Sequence, residues 1–176
     1  MKKTLIYLLG FIFAPAFVSC LSDEEKLWND YKDWRAANDN WLDEQIQTGK
    51  YQEFVPQWNQ DLNVRMRWLN DRSKTEGNLT PIYTSSVAVK YKGWLYDGTP
   101  FDSSYLATDS IVTMTQSGLI PGWVIALEQM KVGDKVELLV PYESGYGSSS
   151  LGKILPYSVL RFEIELRDIP AYEIKP

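Results

Sequence analysis

The chain has no histidine and one cysteine among its 176 residues. Without imidazole, Ser-His-Asp and Cys-His nucleophile systems are excluded, and the commonest metal ligand is missing. Cys20 alone can form neither an intrachain disulfide nor a thiolate metal cluster. Positive charge is also scarce, with 18 Lys and Arg against 23 Asp and Glu for a net charge of -5. A nucleic-acid footprint would need clustered Lys and Arg, so that class of partner is set aside. The longest apolar stretch, near the N-terminus, falls short of the ~20 residues that span a bilayer.

Aromatics, by contrast, are abundant: seven Trp, eleven Tyr and six Phe. With 44% hydrophobic and 23% charged residues, the composition is globular, and the length suits one domain plus an appendage. An aromatic load of this kind serves either a compact core or an aromatic-lined binding site.

Residues 1–19 combine Lys2 and Lys3 with an apolar run, Pro15 and small residues, which predicts a secretory signal peptide; the alternative is an uncleaved anchor helix. Phe17-Val18-Ser19-Cys20 resembles a bacterial lipobox, implying lipidation of Cys20 and membrane attachment through its acyl chains. Leu21-Ser22-Asp23-Glu24-Glu25 resembles the serine-plus-acidic signal that sends some Gram-negative lipoproteins to the outer face of the outer membrane. The competing reading of the same residues is a capping box, Ser22 with Glu25, at a helix start. Attachment facing the periplasm is the alternative to surface display.

From Ser22 to about Arg72, Leu27, Trp28, Tyr31, Trp34, Trp41, Leu42 and Ile46 recur at helical spacing. Thr48-Gly49 reads as a stop. Tyr51, Phe54, Val55, Trp58, Leu62, Met66 and Leu69 repeat the signal, so the expectation is an amphipathic helical hairpin whose tryptophans pack, or engage a partner or a second copy. The polar run 71–81 reads as a linker. Beyond Pro81 the period becomes twofold: Val87, Val89 and Tyr91, then Val112 and Met114, then Val136, Leu138 and Val140, and finally Leu160, Phe162, Ile164 and Leu166 alternate with polar neighbours as strands do. Trp123, Leu127 and Met130 lie on one side of a short helix entered through the Pro121-Gly122 turn. These elements predict an α+β domain, an antiparallel twisted sheet wrapped on a short helix. The expected division is a signal peptide (1–19), a lipid-anchored helical region (20–75), the α+β domain (76–170) and a tail (171–176).

The motifs Val87-Ala88-Val89-Lys90-Tyr91-Lys92-Gly93, Leu95-Tyr96-Asp97-Gly98, Phe101-Asp102-Ser103-Ser104, Ile120-Pro121-Gly122-Trp123, Met130-Lys131-Val132-Gly133, Gly145-Tyr146-Gly147, Ile154-Leu155-Pro156 and Leu160 to Leu166 follow one another in unbroken order. Together they resemble the FKBP family of peptidyl-prolyl cis-trans isomerases over about residues 82–169. The resemblance implies that Trp123 lies under the prolyl ring and that Tyr91, Phe101, Leu119, Ile120, Leu155 and Phe162 form apolar walls. The Ile120 amide and the Tyr146 hydroxyl would bind substrate carbonyls, with Asp102 at the pocket edge. Ile111 stands about where an aromatic often forms one wall, Ala107 about where many members carry an arginine, and Tyr157 replaces a second proline. Asp109-Ser110-Ile111 also resembles a bacterial O-glycosylation acceptor.

What the resemblance implies is a cofactor-free isomerase that acts on proline-containing peptides and unfolded proteins, and the lipobox-like sequence and the serine-plus-acidic run after it imply the envelope of a Gram-negative bacterium as its setting. The residues suit that chemistry, because rotation about an X-Pro bond needs no nucleophile and no metal. A non-catalytic chaperone or interaction module on the same fold is the alternative. A homodimer through the N-terminal helices is a further expectation.

Overall fold

The computed structural model describes residues 22–106 and 110–172. Residues 1–21, among them the expected signal peptide, Cys20 and its lipobox, lie outside the described residues, as do Ala107, Asp109 and the last four residues of the tail. No helix among the described residues is long and apolar enough to cross a membrane.

The chain begins with a helix pair, α1 (Asp23–Asp30) and α2 (Lys32–Gln47), separated only at Tyr31. The capping box is present: the Ser22 hydroxyl accepts from the Glu25 amide at 3.2 Å, and the Glu25 carboxylate accepts from the Ser22 amide at 2.9 Å. Both helices fall within the first arm of the expected hairpin, and the second arm is sheet instead. Residues 51–69 hold β1 (Gln52–Phe54) and β2 (Val64–Trp68). The i, i+4 recurrence of Trp58, Leu62 and Met66 is coincidental, because the stretch that decides is Val64-Arg65-Met66-Arg67-Trp68. Its alternation buries Val64 and Met66 and turns Arg65 and Arg67 toward the other sheet face, where they meet Glu53 and Glu137.

The remaining elements follow the twofold pattern. They are β3 (Ser86–Leu95), β4 (Pro100–Ser103), β5 (Val112–Thr115), α3 (Pro121–Leu127), β6 (Lys135–Val140) and β7 (Leu160–Ala171). Seven strands form one antiparallel sheet in the order β1-β2-β6-β7-β3-β4, with β5 also paired to β3. The sheet therefore includes strands from before residue 75. Val87 and Val89 of β3, Val136, Leu138 and Val140 of β6, and Leu160, Phe162, Ile164 and Leu166 of β7 supply its buried face. Trp123, Ile125, Ala126 and Leu127 of α3 fill the concavity against it. Gly122 permits that seat: a Cβ there would stand 2.5 Å from Val140 Cγ1 and 3.1 Å from the Ser144 carbonyl.

The helix pair is clasped to the loop that precedes β7. Asn38 is fully buried; its Oδ1 accepts from the Val159 amide at 2.8 Å and its Nδ2 donates to the Trp34 carbonyl at 2.8 Å. Trp34 Nε1 donates to Ser158 Oγ at 3.2 Å. Tyr157, at φ 61°, holds the left-handed backbone that side chains with a Cβ rarely adopt. Edge contacts from Trp28, Tyr31 and Tyr142 at centroid separations of 5.2, 6.5 and 5.4 Å hold it there. Three aromatics of the stripe read from the N-terminal sequence, Trp28, Tyr31 and Trp34, thus contact this one loop.

Candidate functional site

Where β3, β4, β5, α3 and β7 converge, a cavity of about 210 Å³ opens to solvent, lined by Tyr91, Phe101, Asp102, Met114, Gly118, Leu119, Ile120, Trp123, Tyr146 and Phe162. Trp123, on the first turn of α3, is nearly buried. Tyr91 and Phe162 meet it edge-on at 5.1 and 5.3 Å, with interplanar angles of 89° and 87°. Phe101 meets Phe162 in the same way at 5.5 Å. Crossed rings present a positive edge to a negative face, and such pairs are worth about 0.5–1.5 kcal/mol beyond the area they bury. The rings are consequently held, and the space between them stays open.

Gly93 makes that packing possible. It lies across the ladder from Asp102 on one side and from Phe162 on the other. A Cβ at this position would come within 2.7 Å of Phe101 Cζ and 2.9 Å of Phe162 Cε1. Immediately after it the β3–β4 register shifts, a bulge that re-aims the strand beside the cavity. Ser104 then fastens the end of β4: its hydroxyl accepts from the Tyr91 amide at 2.9 Å and donates to the Ser110 carbonyl at 2.8 Å.

The polar groups divide into two kinds. Asp102 is engaged at both carboxylate oxygens, accepting from the Tyr91 hydroxyl at 2.7 Å and from the Ser103 amide at 2.7 Å. Burial, donation to Asp102 and the negative charge beside it together push the Tyr91 phenol well above the usual tyrosine range. Tyr146 is pushed up as well, first by burial and then by the charge of Asp102. Both phenols stay neutral donors through neutral pH. The second kind is unengaged: among the described residues neither the Tyr146 hydroxyl nor the Ile120 N–H has an internal acceptor. Ile120 caps α3 with extended backbone (φ -58°, ψ 147°); its carbonyl accepts from the Trp123 amide at 3.0 Å, while its own N–H, ahead of the helix, meets no acceptor among the described residues.

Eight of the ten residues singled out from the sequence line this cavity: Tyr91, Phe101, Asp102, Leu119, Ile120, Trp123, Tyr146 and Phe162. Leu155 and Ile111 do not. Leu155 is 37% exposed, because the bridge between Leu151 and Ile154 turns Ile154 into the core and leaves its neighbour outside. Ile111 is half-buried just before β5. Two lining residues were not expected there. Met114 was legible as one member of the Val112/Met114 alternation, whereas Gly118 has no side chain to signal its place.

With this geometry the chain can be compared with known proteins. The family described as FKBP-type peptidyl-prolyl cis-trans isomerase matches residues 78–167, a span that contains every residue lining the cavity. The chain belongs to this family. A 22 kDa FKBP-type peptidyl-prolyl cis-trans isomerase of Escherichia coli K12 is 47% identical over 90 residues, covering 51% of this chain and 43% of that protein. FkpA of the same strain, also named an FKBP-type isomerase, is 38% identical over 99 residues, covering 54% of this chain and 36% of its own length. The aligned segment therefore spans less than half of these FKBP relatives. The crystal structure of Escherichia coli FkpA superposes with a TM-score of 0.69 at 26% identity, covering 85% of this chain and 65% of that one.

Proposed function

We propose that the protein is a peptidyl-prolyl cis-trans isomerase that holds X-Pro segments in the cavity over Trp123. The observation that carries this reading is the pairing of packed aromatic rings with two unengaged donors, the Ile120 N–H and the Tyr146 hydroxyl, on residues that line the same cavity. Rotation about an X-Pro bond is opposed by a barrier of roughly 18–20 kcal/mol from amide resonance. Resonance separates charge onto the carbonyl oxygen, and the twisted transition state carries less of it. An apolar, aromatic surrounding solvates the planar amide poorly and so favours the twisted form relative to the planar one. The two donors would hold the flanking carbonyls while the bond between them turns, and Asp102, itself fixed by Tyr91 and Ser103, sets the polar edge. The two cavity phenols, both raised chiefly by burial, stay protonated near neutral pH.

The proposed setting is the cell envelope, with Cys20 carrying the lipid and exported polypeptides as clients; the lipobox-like sequence supports it. Mass spectrometry of the mature N-terminus from the native host tests that attachment, and an unmodified Cys20 would end it. Self-association through α1 and α2 is tested by sedimentation of the mature chain. The reading in which the N-terminal aromatics serve chiefly to capture a partner is weakened by the contacts that Trp28, Tyr31 and Trp34 already make with residues 157 and 158. Isomerase activity is checked with a proline tetrapeptide on the mature chain. Inactivity of the wild type would overturn the proposal, and Trp123→Leu, which keeps the core apolar, is expected to lower kcat/KM on the order of 100-fold.

A further inference from the structure

Adjoining the cavity over Trp123 lies a second, larger opening of about 460 Å³, lined by Trp58, Tyr83, Leu119, Pro121 and Val124 together with the polar Ser117 and Glu128. Leu119 belongs to both linings, so the two spaces share a wall. Trp58 and Tyr83 are each 55% exposed. Isolated exposed aromatics are unremarkable, but two of them on one apolar groove mark a contact surface.

Neither aromatic hangs on a loose loop. Residues 55–63, which carry Trp58, are held by buried Pro56, whose carbonyl accepts from Gln60 Nε2 at 2.8 Å, and by an Asn59 side chain that accepts from the Asp61 amide at 3.0 Å. At their far end buried Ser144 accepts from the Asn63 amide at 3.1 Å and donates to the Asn63 carbonyl at 2.7 Å, tying this loop to the one that presents Tyr146. Tyr83 lies on a turn closed by Ser85, which donates its amide to the Ile82 carbonyl at 2.8 Å and accepts from the Ile82 amide at 3.0 Å. Surface aromatics fixed in place before binding lose little entropy on contact, which favours recognition. Trp58 also lies outside residues 78–167, so one wall of the groove is supplied by sequence this chain adds to the family domain.

We infer that the groove of Trp58, Tyr83 and Pro121 is a second subsite for the client polypeptide, taking an apolar or aromatic side chain near the proline held in the adjoining cavity. This inference rests on the isomerase reading only for the identity of the bound chain. An extended polypeptide advances about 3.3 Å per residue, so a side chain some two to four positions from the proline reaches across one shared wall residue. The occupant is thus the flanking segment of a substrate already crossing Leu119. The apolar lining selects its chemistry, and a stretch with a hydrophobic residue at that spacing is typical of unfolded chains rather than of folded surfaces.

The test compares kcat/KM for a proline tetrapeptide with that for a twelve-residue peptide in which one phenylalanine is walked from two to four positions on either side of the proline. The wild type is expected to favour the long peptide by roughly tenfold at the best position, through KM. Replacing Trp58→Ala together with Tyr83→Ala should bring that ratio close to one, and a ratio unchanged in the double variant would overturn the inference. A double variant that fails to fold gives no ratio to read, so a second readout uses the wild type alone: the same peptide with benzoylphenylalanine at the best position, photo-cross-linked and mapped by mass spectrometry. Attachment in residues 55–63 or at Tyr83 supports the subsite, and attachment confined to other segments refutes it. Cross-linking there by a chain without tetrapeptide activity would overturn the isomerase reading while leaving the groove standing. A dimer by sedimentation that the double variant converts to monomer would instead assign the groove to a second copy and overturn the inference.

Discussion

Two aromatic clusters of similar make-up do different things in this molecule. Around Tyr157 the rings of Trp28, Tyr31 and Tyr142 close on one loop residue; beside them Trp34 Nε1 is paired with Ser158 and Asn38 with Val159 and Trp34, while the buried Arg35 Nε, its guanidinium lying over the Trp28 ring, has no acceptor among the described residues. Around Trp123 the rings are packed just as regularly, yet the Tyr146 hydroxyl and the Ile120 N–H meet no internal acceptor among the described residues. Aromatic content therefore does not distinguish packing from binding here. The place of the free donors is what differs: the Tyr146 hydroxyl and the Ile120 N–H belong to residues that line the open cavity over Trp123, within the span the family matches, whereas Arg35 Nε belongs to a guanidinium stacked on Trp28.

The comparison breaks most visibly if one tryptophan is truncated in each cluster. Trp123→Ala should cost about 3–5 kcal/mol of stability as a core truncation and abolish tetrapeptide isomerisation. Trp34→Ala should cost about 0.5–3 kcal/mol, read by urea unfolding, and leave isomerisation within about twofold. Equal loss of activity in both would mean that the N-terminal cluster takes part in catalysis.

Gly93→Ala and Asn38→Ala come next, each expected to cost about 1–3 kcal/mol but by different routes. The added methyl at 93 collides with Phe101 and Phe162, an overpacking penalty that also disturbs the cavity walls, so activity should fall with stability. Losing the Asn38 carboxamide orphans the buried Val159 amide, so the melting temperature should drop while kcat/KM of the folded fraction holds. An active, fully stable Gly93→Ala protein would contradict the tight seat assigned to the two rings.

What the sequence made legible follows from how local each signal is. Strands β3, β6 and β7 and the turn into α3 were readable because alternation and Pro-Gly chemistry act within a few residues. Eight cavity residues followed once those elements were ordered along the family pattern. The strands at 52–54 and 64–68 were misread, since Trp58, Leu62, Met66 and Leu69 fit helical spacing as well as Val64, Met66 and Trp68 fit a strand. What decides between them is pairing with β6, a contact some 70 residues away in sequence. Leu155 lies outside the lining of the cavity, next to a single bridge between Leu151 and Ile154, and of the two adjacent apolar side chains it is Ile154 that turns inward. The linker reading of 71–81 missed buried Asp134, which draws Thr75 and Asn70 onto the domain at 2.6 and 3.1 Å.

A smaller effect separates the two kinds of donor within the site. Tyr146→Phe removes one carbonyl-binding hydroxyl that has no internal partner, so it should lower kcat/KM about tenfold with stability within about 0.5 kcal/mol. Tyr91→Phe removes a hydroxyl that holds Asp102 and should show more clearly in the alkaline limb of stability. The phenols of Tyr91 and Tyr146 titrate higher in the folded state than in the unfolded one, and those of Tyr51 and Tyr142, raised chiefly by burial, are pushed up to about 12. A group raised on folding stabilises fully below its unfolded pKa, about 10 for tyrosine, and loses that contribution as pH climbs through the folded value. The melting temperature should therefore hold from pH 7 to about 9.5 and decline above it, with the decline shallower in Tyr91→Phe. Isomerase activity should stay level between pH 6 and 9, since the chain has no imidazole to titrate and both cavity phenols remain protonated there. A bell-shaped profile in that interval would point to a proton-transfer step that this cavity does not explain.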